Sequence, residues 1–120
     1  MLRFVTAELG RIRNTFIWSV AGWRAAWADQ KSLRQWTLVN LASAALAFYL
    51  DLSAVERALI VALGLLILAA ELANTAIEET VNYISTDQHP LAKKAKDCGS
   101  ALVALTALAG GAAWVILLIG

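Results

Sequence analysis

Glu71, Asn74 and Glu78 interrupt an otherwise apolar stretch, LLILAAELANTAIEETVNYIS, at residues 65–85. Their spacing of i, i+3 and i+7 puts all three on one face of an α-helix. An ionised side chain at the centre of a bilayer costs roughly 2.5–3.5 kcal/mol on insertion scales, so acids in such a stretch point to function. Glu71 and Glu78 lie about 10 Å apart along a helix axis, too far to bind one ion together. A division of labour suits that distance, with one carboxylate for a metal and the other for proton transfer. Asn74 lies between them and can orient either. Glu79 points about 100° away from Glu78 and cannot share its ligand. Beyond the next loop, Lys93, Lys94, Lys96 and Asp97 cluster at the start of another helical stretch. Lysines near a metal-binding carboxylate suit polyphosphate, because cations neutralise phosphate oxygens while a carboxylate accepts the proton of an attacking hydroxyl. A base deep in an apolar helix implies a lipid hydroxyl. The plainer readings are topogenic lysines and a structural acid bonded across helices.

Composition limits the chemistry further. The 120 residues are 60% hydrophobic, above the roughly 45–50% of an ordinary soluble domain, and mean hydropathy is +0.65. The net charge of +1 implies no nucleic acid or other bulk polyelectrolyte as partner. The single cysteine, Cys98, and single histidine, His89, exclude an internal disulfide and a His- or Cys-built metal site. A divalent metal would take oxygen ligands, as Mg²⁺ does. On its residues alone His89 reads as a loop histidine. No phosphate loop of the GxxxxGK[ST] type and no protein-kinase signature occurs.

The elements that must position these residues follow from periodicity. The expected fold is an all-α membrane protein, a single membrane domain over 1–120. An amphipathic helix at 1–28 lies in the membrane interface, and spans follow at 34–51, 54–85 and 91–119. Leu2, Val5, Leu9, Ile12, Phe16, Val20, Trp23 and Trp27 form one stripe with steps of three or four. Arginines at 3, 11, 13 and 24 break any signal-peptide core there. Gln35–Leu50 carries no charge and is flanked by Trp36 and Tyr49 as interfacial anchors. Ser53 is the expected N-cap of the next helix, with Glu56 at its third position. Residues 98–120 carry no charge, and Ser100, Ala104, Ala107 and Gly111 form a small-residue stripe suited to close packing. One of the ten lysines and arginines lies in the 51–57 turn. The other nine lie in the N-terminal region or the 86–97 loop, which predicts a cytoplasmic N-terminus and an external C-terminus.

AELANTAIEETVNYI followed by HPLAKKAKDCGSA resembles the signature of the small prokaryotic integral-membrane diacylglycerol kinases and the related undecaprenol kinases. GWRAAWADQKSLRQW fits that family's entry to its first span, and the similarity runs over about residues 10–118. The resemblance implies a homotrimer in the bacterial inner (cytoplasmic) membrane that transfers the γ-phosphate of ATP, with Mg²⁺, to a lipid hydroxyl. Diacylglycerol is the expected acceptor and undecaprenol the alternative. It places Glu71 at the catalytic base, Asn74 at the supporting polar position and Glu78 at a metal ligand. Lys96 and Asp97 match nucleotide-binding positions. Arg11, Trp18, Asp87, Gln88 and His89 fall where the family contacts ATP. Arg24, Ala25, Ala26 and Trp27, then Ser32, Leu33, Arg34, Gln35 and Trp36, with Ser100, align with lipid-side positions. The chain departs from the family at Trp36, commonly acidic or histidine, and at Asn82, commonly aspartate. At position 30, Gln30 stands for a glutamate that is a second metal ligand. Two other classes compete with a kinase: a small oligomeric carrier relaying protons or cations through Glu71 and Glu78, and a catalytically weakened homologue. Gln30 supplies only a neutral oxygen, so metal affinity should fall unless Asp29 substitutes, and Gln30→Glu is expected to raise lipid phosphorylation at limiting Mg²⁺. An unchanged Mg²⁺ titration would remove position 30 from metal binding.

Overall fold

The computed structural model describes residues 1–120 as four helices: α1 (Leu2–Asp29), α2 (Lys31–Tyr49), α3 (Ala54–Ile84) and α4 (Pro90–Ile119). The chain divides into two compact units, Met1–Gln30 and Lys31–Gly120. The first is α1 alone. It ends at Gln30, which is extended (φ −102°, ψ 102°) and returns its N–H to the Ala26 carbonyl at 2.7 Å. On α1 the Trp23 and Trp27 rings stack with centroids 5.8 Å apart, and Arg11 pairs with Glu8 at 3.0 Å.

In the second unit α3 packs against both α2 and α4. α3 and α4 are long and apolar enough to cross a membrane. Only 28% of the most apolar window of α3, and 6% of that of α4, is buried within the chain. A soluble core helix would hide most of that surface, so the all-helical architecture, with two long and largely uncovered apolar helices, is consistent with a membrane protein. α2 carries Arg34, Gln35 and Asn40 and falls short of the same measure of apolarity.

Helix ends are set by short polar contacts. The capping box expected at Ser53 is present: its hydroxyl accepts from Glu56 N–H at 3.2 Å, and its own N–H donates to Glu56 Oε2 at 2.7 Å. Arg57, one residue on, closes the end of α2. Its Nε donates to the Ala47 carbonyl and its Nη2 to the Leu50 carbonyl, both at 3.1 Å, while the guanidinium lies over Phe48. A cation thus satisfies carbonyls that a helix C-terminus leaves unpaired. At the other end His89 caps α4 by accepting the Leu91 N–H on Nδ1 at 3.1 Å, and Pro90 occupies the first turn, where no amide hydrogen is needed. His89 is therefore a helix cap, a role its identity alone did not announce.

Two hydrogen bonds cross between helices at mid-height. Asn40 on α2 donates Nδ2 to the Gly64 carbonyl of α3 at 3.1 Å, and Trp114 on α4 donates Nε1 to Ser43 Oγ on α2 at 2.8 Å. A Cβ at position 64 would sit 3.1 Å from Asn40 Oδ1, so glycine allows this approach. Within the chain the covered face of α4 runs through Gly99, Val103, Thr106 and Gly110; of the expected small-residue stripe Ala107 is half-buried, while Ser100, Ala104 and Gly111 are exposed. The helix is turned by about one residue, or 100°, because Gly99 meets Asn74 and Gly110 meets Ile67.

Interhelical side-chain hydrogen bonds between apolar helices average about 0.6 kcal/mol. Asn40→Ala should lower unfolding free energy by about that amount in a denaturant titration of the detergent-solubilised protein. An unchanged midpoint would show that the Asn40–Gly64 bond contributes nothing.

Candidate active site

Ile67, Ala70 and Glu71 are the buried residues in the middle of α3, and their i, i+3, i+4 spacing marks the face turned toward its neighbours. Glu71 is 5% exposed and is the only buried charged residue of the chain. Ser32, in the first turn of α2, donates Oγ to Glu71 Oε2 at 3.0 Å. The same part of α2 is anchored by Leu33, which is 1% exposed. Thr75 bonds the main-chain oxygen of Glu71 at 3.0 Å.

One turn further along α3, Asn74 donates Nδ2 to Glu78 Oε1 at 3.4 Å, a long bond. Its Oδ1 is buried without a hydrogen-bond partner and faces Gly99 of α4, where any Cβ would collide with it. Of the two acids that Asn74 could serve, it engages Glu78. Glu78 is half-buried and Glu79 exposed, so the face bearing the triad is the one α3 turns inward.

The loop between α3 and α4 forms a second feature. Thr86, Asp87, Gln88, His89, Pro90, Ala92, Lys93, Lys96 and Asp97 line an open pocket of about 670 Å³. Ser85 is extended and receives the Asp87 N–H on Oγ at 3.0 Å, which turns the chain out of α3. Lys96 donates Nζ to Asn82 Oδ1 at 2.7 Å, tying the start of α4 to the end of α3. Lys93 pairs with Asp97 one turn along α4. Because Asn82 is neutral, it holds the Lys96 ammonium in place without cancelling its charge.

The nucleotide residues expected at 87, 88, 89, 96 and 97 thus share one pocket, joined by Lys93. Ser32 and Glu71 are brought into contact across 39 residues, and Asn74 and Glu78 across one turn. Trp36 lines a smaller cavity of about 210 Å³ with Asn40, Ser43, Gly64 and Trp114. Arg34 is half-buried, Gln35 is exposed, and Ser100 is exposed on α4. Arg11, Trp18, Arg24, Ala25, Ala26 and Trp27 lie on α1, and Gln30 is its C-cap. Gly99 is a packing partner of Asn74 that periodicity missed. Its signal was the Cβ-less position beside a polar helix partner, hidden in a run of small residues.

Comparison with known proteins gives the family of the chain. The family model for prokaryotic diacylglycerol kinase matches residues 17–118. A diacylglycerol kinase of Pseudomonas aeruginosa is 46% identical over 114 residues, covering 93% of this chain and 91% of that protein. One from Escherichia coli K12 is 34% identical over 113 residues, covering 94% and 93%. One from Haemophilus influenzae is 31% identical over 111 residues, covering 92% and 94%. The chain belongs to the prokaryotic diacylglycerol kinase family.

The Gly99–Asn74 approach makes a sharp prediction. Gly99→Ala should destabilise the protein by about 1–3 kcal/mol, as overpacking does. Adding Asn74→Ala should recover much of that loss, a non-additivity that contacting residues produce. Additive losses in the double-mutant cycle would show that the two residues do not meet.

Proposed function

We propose that this chain is a lipid kinase that moves the γ-phosphate of ATP to the hydroxyl of diacylglycerol, giving phosphatidic acid. The observation that carries the reading is Glu71: a carboxyl group 5% exposed in the middle of an apolar helix, held by a hydroxyl from α2. Such a group meets a lipid alcohol more readily than a water-soluble one. In the reaction Glu71 takes the proton of the acceptor hydroxyl as that oxygen attacks the γ-phosphorus. The new P–O bond forms as the bond between the β,γ-bridging oxygen and the γ-phosphorus breaks, and ADP leaves. Phosphoryl transfer of this kind depends mainly on positioning and charge stabilisation. The loop pocket supports a nucleotide, with Lys93 and Lys96 as cations toward phosphate and the Asp87–His89 turn as its wall.

Glu78 fits a role with Mg²⁺. No three His, Cys, Asp or Glu side chains cluster, so an all-protein cage is not built. Mg²⁺ commonly binds through one or two carboxylates, with waters and substrate phosphates completing its shell. Glu78, oriented by the Asn74 amide, offers one such carboxylate. When bound, the ion would neutralise charge on the transferring phosphate.

The architecture we propose has α1 in the membrane interface and α2, α3 and α4 spanning the bilayer. The 19 residues of α2 reach about 28 Å, close to the hydrocarbon thickness of about 30 Å. Cation placement favours a cytoplasmic N-terminus, an external C-terminus and a loop pocket on the cytoplasmic side of the bacterial inner membrane. Exposed Leu105, Leu108 and Ile116 on α4 suit lipid or neighbouring chains in a homotrimer. The relatives named diacylglycerol kinase favour diacylglycerol over undecaprenol as acceptor.

Purified protein with MgATP should phosphorylate diacylglycerol faster than undecaprenol, measured by ³²P transfer in mixed micelles. Glu71→Gln should cut turnover by roughly 10²–10⁴-fold, the usual contribution of a general base, while keeping its helical circular dichroism. Wild-type turnover in Glu71→Gln would remove that residue from the chemistry. ATP-independent ion flux in liposomes, without phosphotransfer, would favour a carrier instead.

A further inference from the structure

Ser32 aligns with lipid-side positions in the family pattern, yet its hydroxyl is directed at a protein carboxylate. Ser32 Oγ donates to Glu71 Oε2 at 3.0 Å, from the first turn of α2 to the middle of α3. Both backbones are fixed where this happens. Leu33, next to Ser32, is 1% exposed, and Ile67 and Ala70, beside Glu71, are each 5% exposed. The serine side chain has one heavy-atom rotor, whereas glutamate has three and loses roughly 1.5–2 kcal/mol of rotamer freedom when fixed. A short, stiff donor on an anchored helix therefore holds a long, flexible acid. The carboxylate also sits beside the N-terminal turn of α2, where the helix dipole favours negative charge.

We propose that Ser32 is a positioning residue for Glu71: its hydroxyl fixes the orientation in which the carboxyl group accepts the acceptor's proton, and does not serve to bind the lipid. The proposal rests on the kinase reading above for its catalytic consequence. A proton acceptor must lie within hydrogen-bond reach of the group it deprotonates, and displacement by about 1 Å can cost up to 10²-fold in rate. Removing the donor while leaving the acid in place lets Glu71 sample its other rotamers. The number of productive encounters falls, but lipid and nucleotide bind as before.

Kinetics separate this role from a lipid contact. Ser32→Ala should lower kcat by roughly 10–100-fold and leave KM for diacylglycerol and for ATP unchanged, and Ser32→Thr, which keeps the hydroxyl, should restore most of the rate. A raised KM for lipid at constant kcat would mean uniform substrate binding and would overturn the proposal. Alanine is the better helix former, so α2 should persist. Should Ser32→Ala fail to fold, Ser32→Cys, of similar volume but a weak donor, takes its place with the same expected loss.

An infrared readout decides the contact independently of activity. Subtracting the Glu71→Gln spectrum isolates the carboxyl band of Glu71. That band should move in Ser32→Ala and return in Ser32→Thr; a band that stays put in Ser32→Ala overturns the proposal even if kcat falls. A band that moves in Ser32→Ala, in a protein whose wild type transfers no phosphate, would sink the kinase reading, and Ser32's catalytic role with it, while leaving the contact standing.

Discussion

A helix as apolar as α3 cannot leave Glu71 and Asn74 to face hydrocarbon-like surroundings, where an unsatisfied polar group costs several kcal/mol. It turns them inward, where Glu71 gains a hydroxyl partner and the Asn74 oxygen is packed against Gly99 without one. That constraint fixes how α2 and α4 lie against α3. Ser32 answers Glu71 from one side, and Gly99 makes room for Asn74 on the other. The remaining mid-height contacts, Asn40 with the Gly64 carbonyl and Trp114 with Ser43, obey the same rule. Each uses a small or polar residue to bring two backbones close enough for one hydrogen bond. The rotation of α4 follows from it too, since the face that packs is the one that spares Asn74 a Cβ.

Helix ends then place the loop between α3 and α4 and the pocket it lines. Ser53 and Glu56 start α3, Arg57 closes α2, and His89 with Pro90 starts α4. With α4 starting at Pro90, Lys93, Lys96 and Asp97 fall on its first two turns, beside the Thr86–His89 segment. The Asn82–Lys96 bond joins the two helix ends across that segment. Asn82 is neutral, so the bond leaves the charge of the Lys96 ammonium uncancelled.

Much of this was legible from residue spacing. The single face of Glu71, Asn74 and Glu78 follows from helical periodicity, and the capping box at Ser53 follows from an S-x-x-E pattern. Both are local, set within one or two turns of a single helix. On α4 the face packed within the chain runs one residue beside the small-residue stripe, of which Ala107 is half-buried. Small residues are so common there that periodicity offers several equivalent faces, and only Asn74 on another helix selects among them. His89 as a cap was missed for a related reason, since a capping histidine looks like any loop histidine until the helix start is known.

By itself the sequence determined where the helices lie, which residues share the polar face of α3, and the family to which the chain belongs. Those properties depend on neighbours within a few positions, or on motifs that survive intact in the chain. Only the tertiary structure decided that Ser32 meets Glu71 across 39 residues, that Gly99 rather than Ser100 faces Asn74, and that Lys96 leans on Asn82. Each of these depends on the relative rotation and height of two helices. That geometry is set by the summed packing of whole faces, and no single motif encodes it.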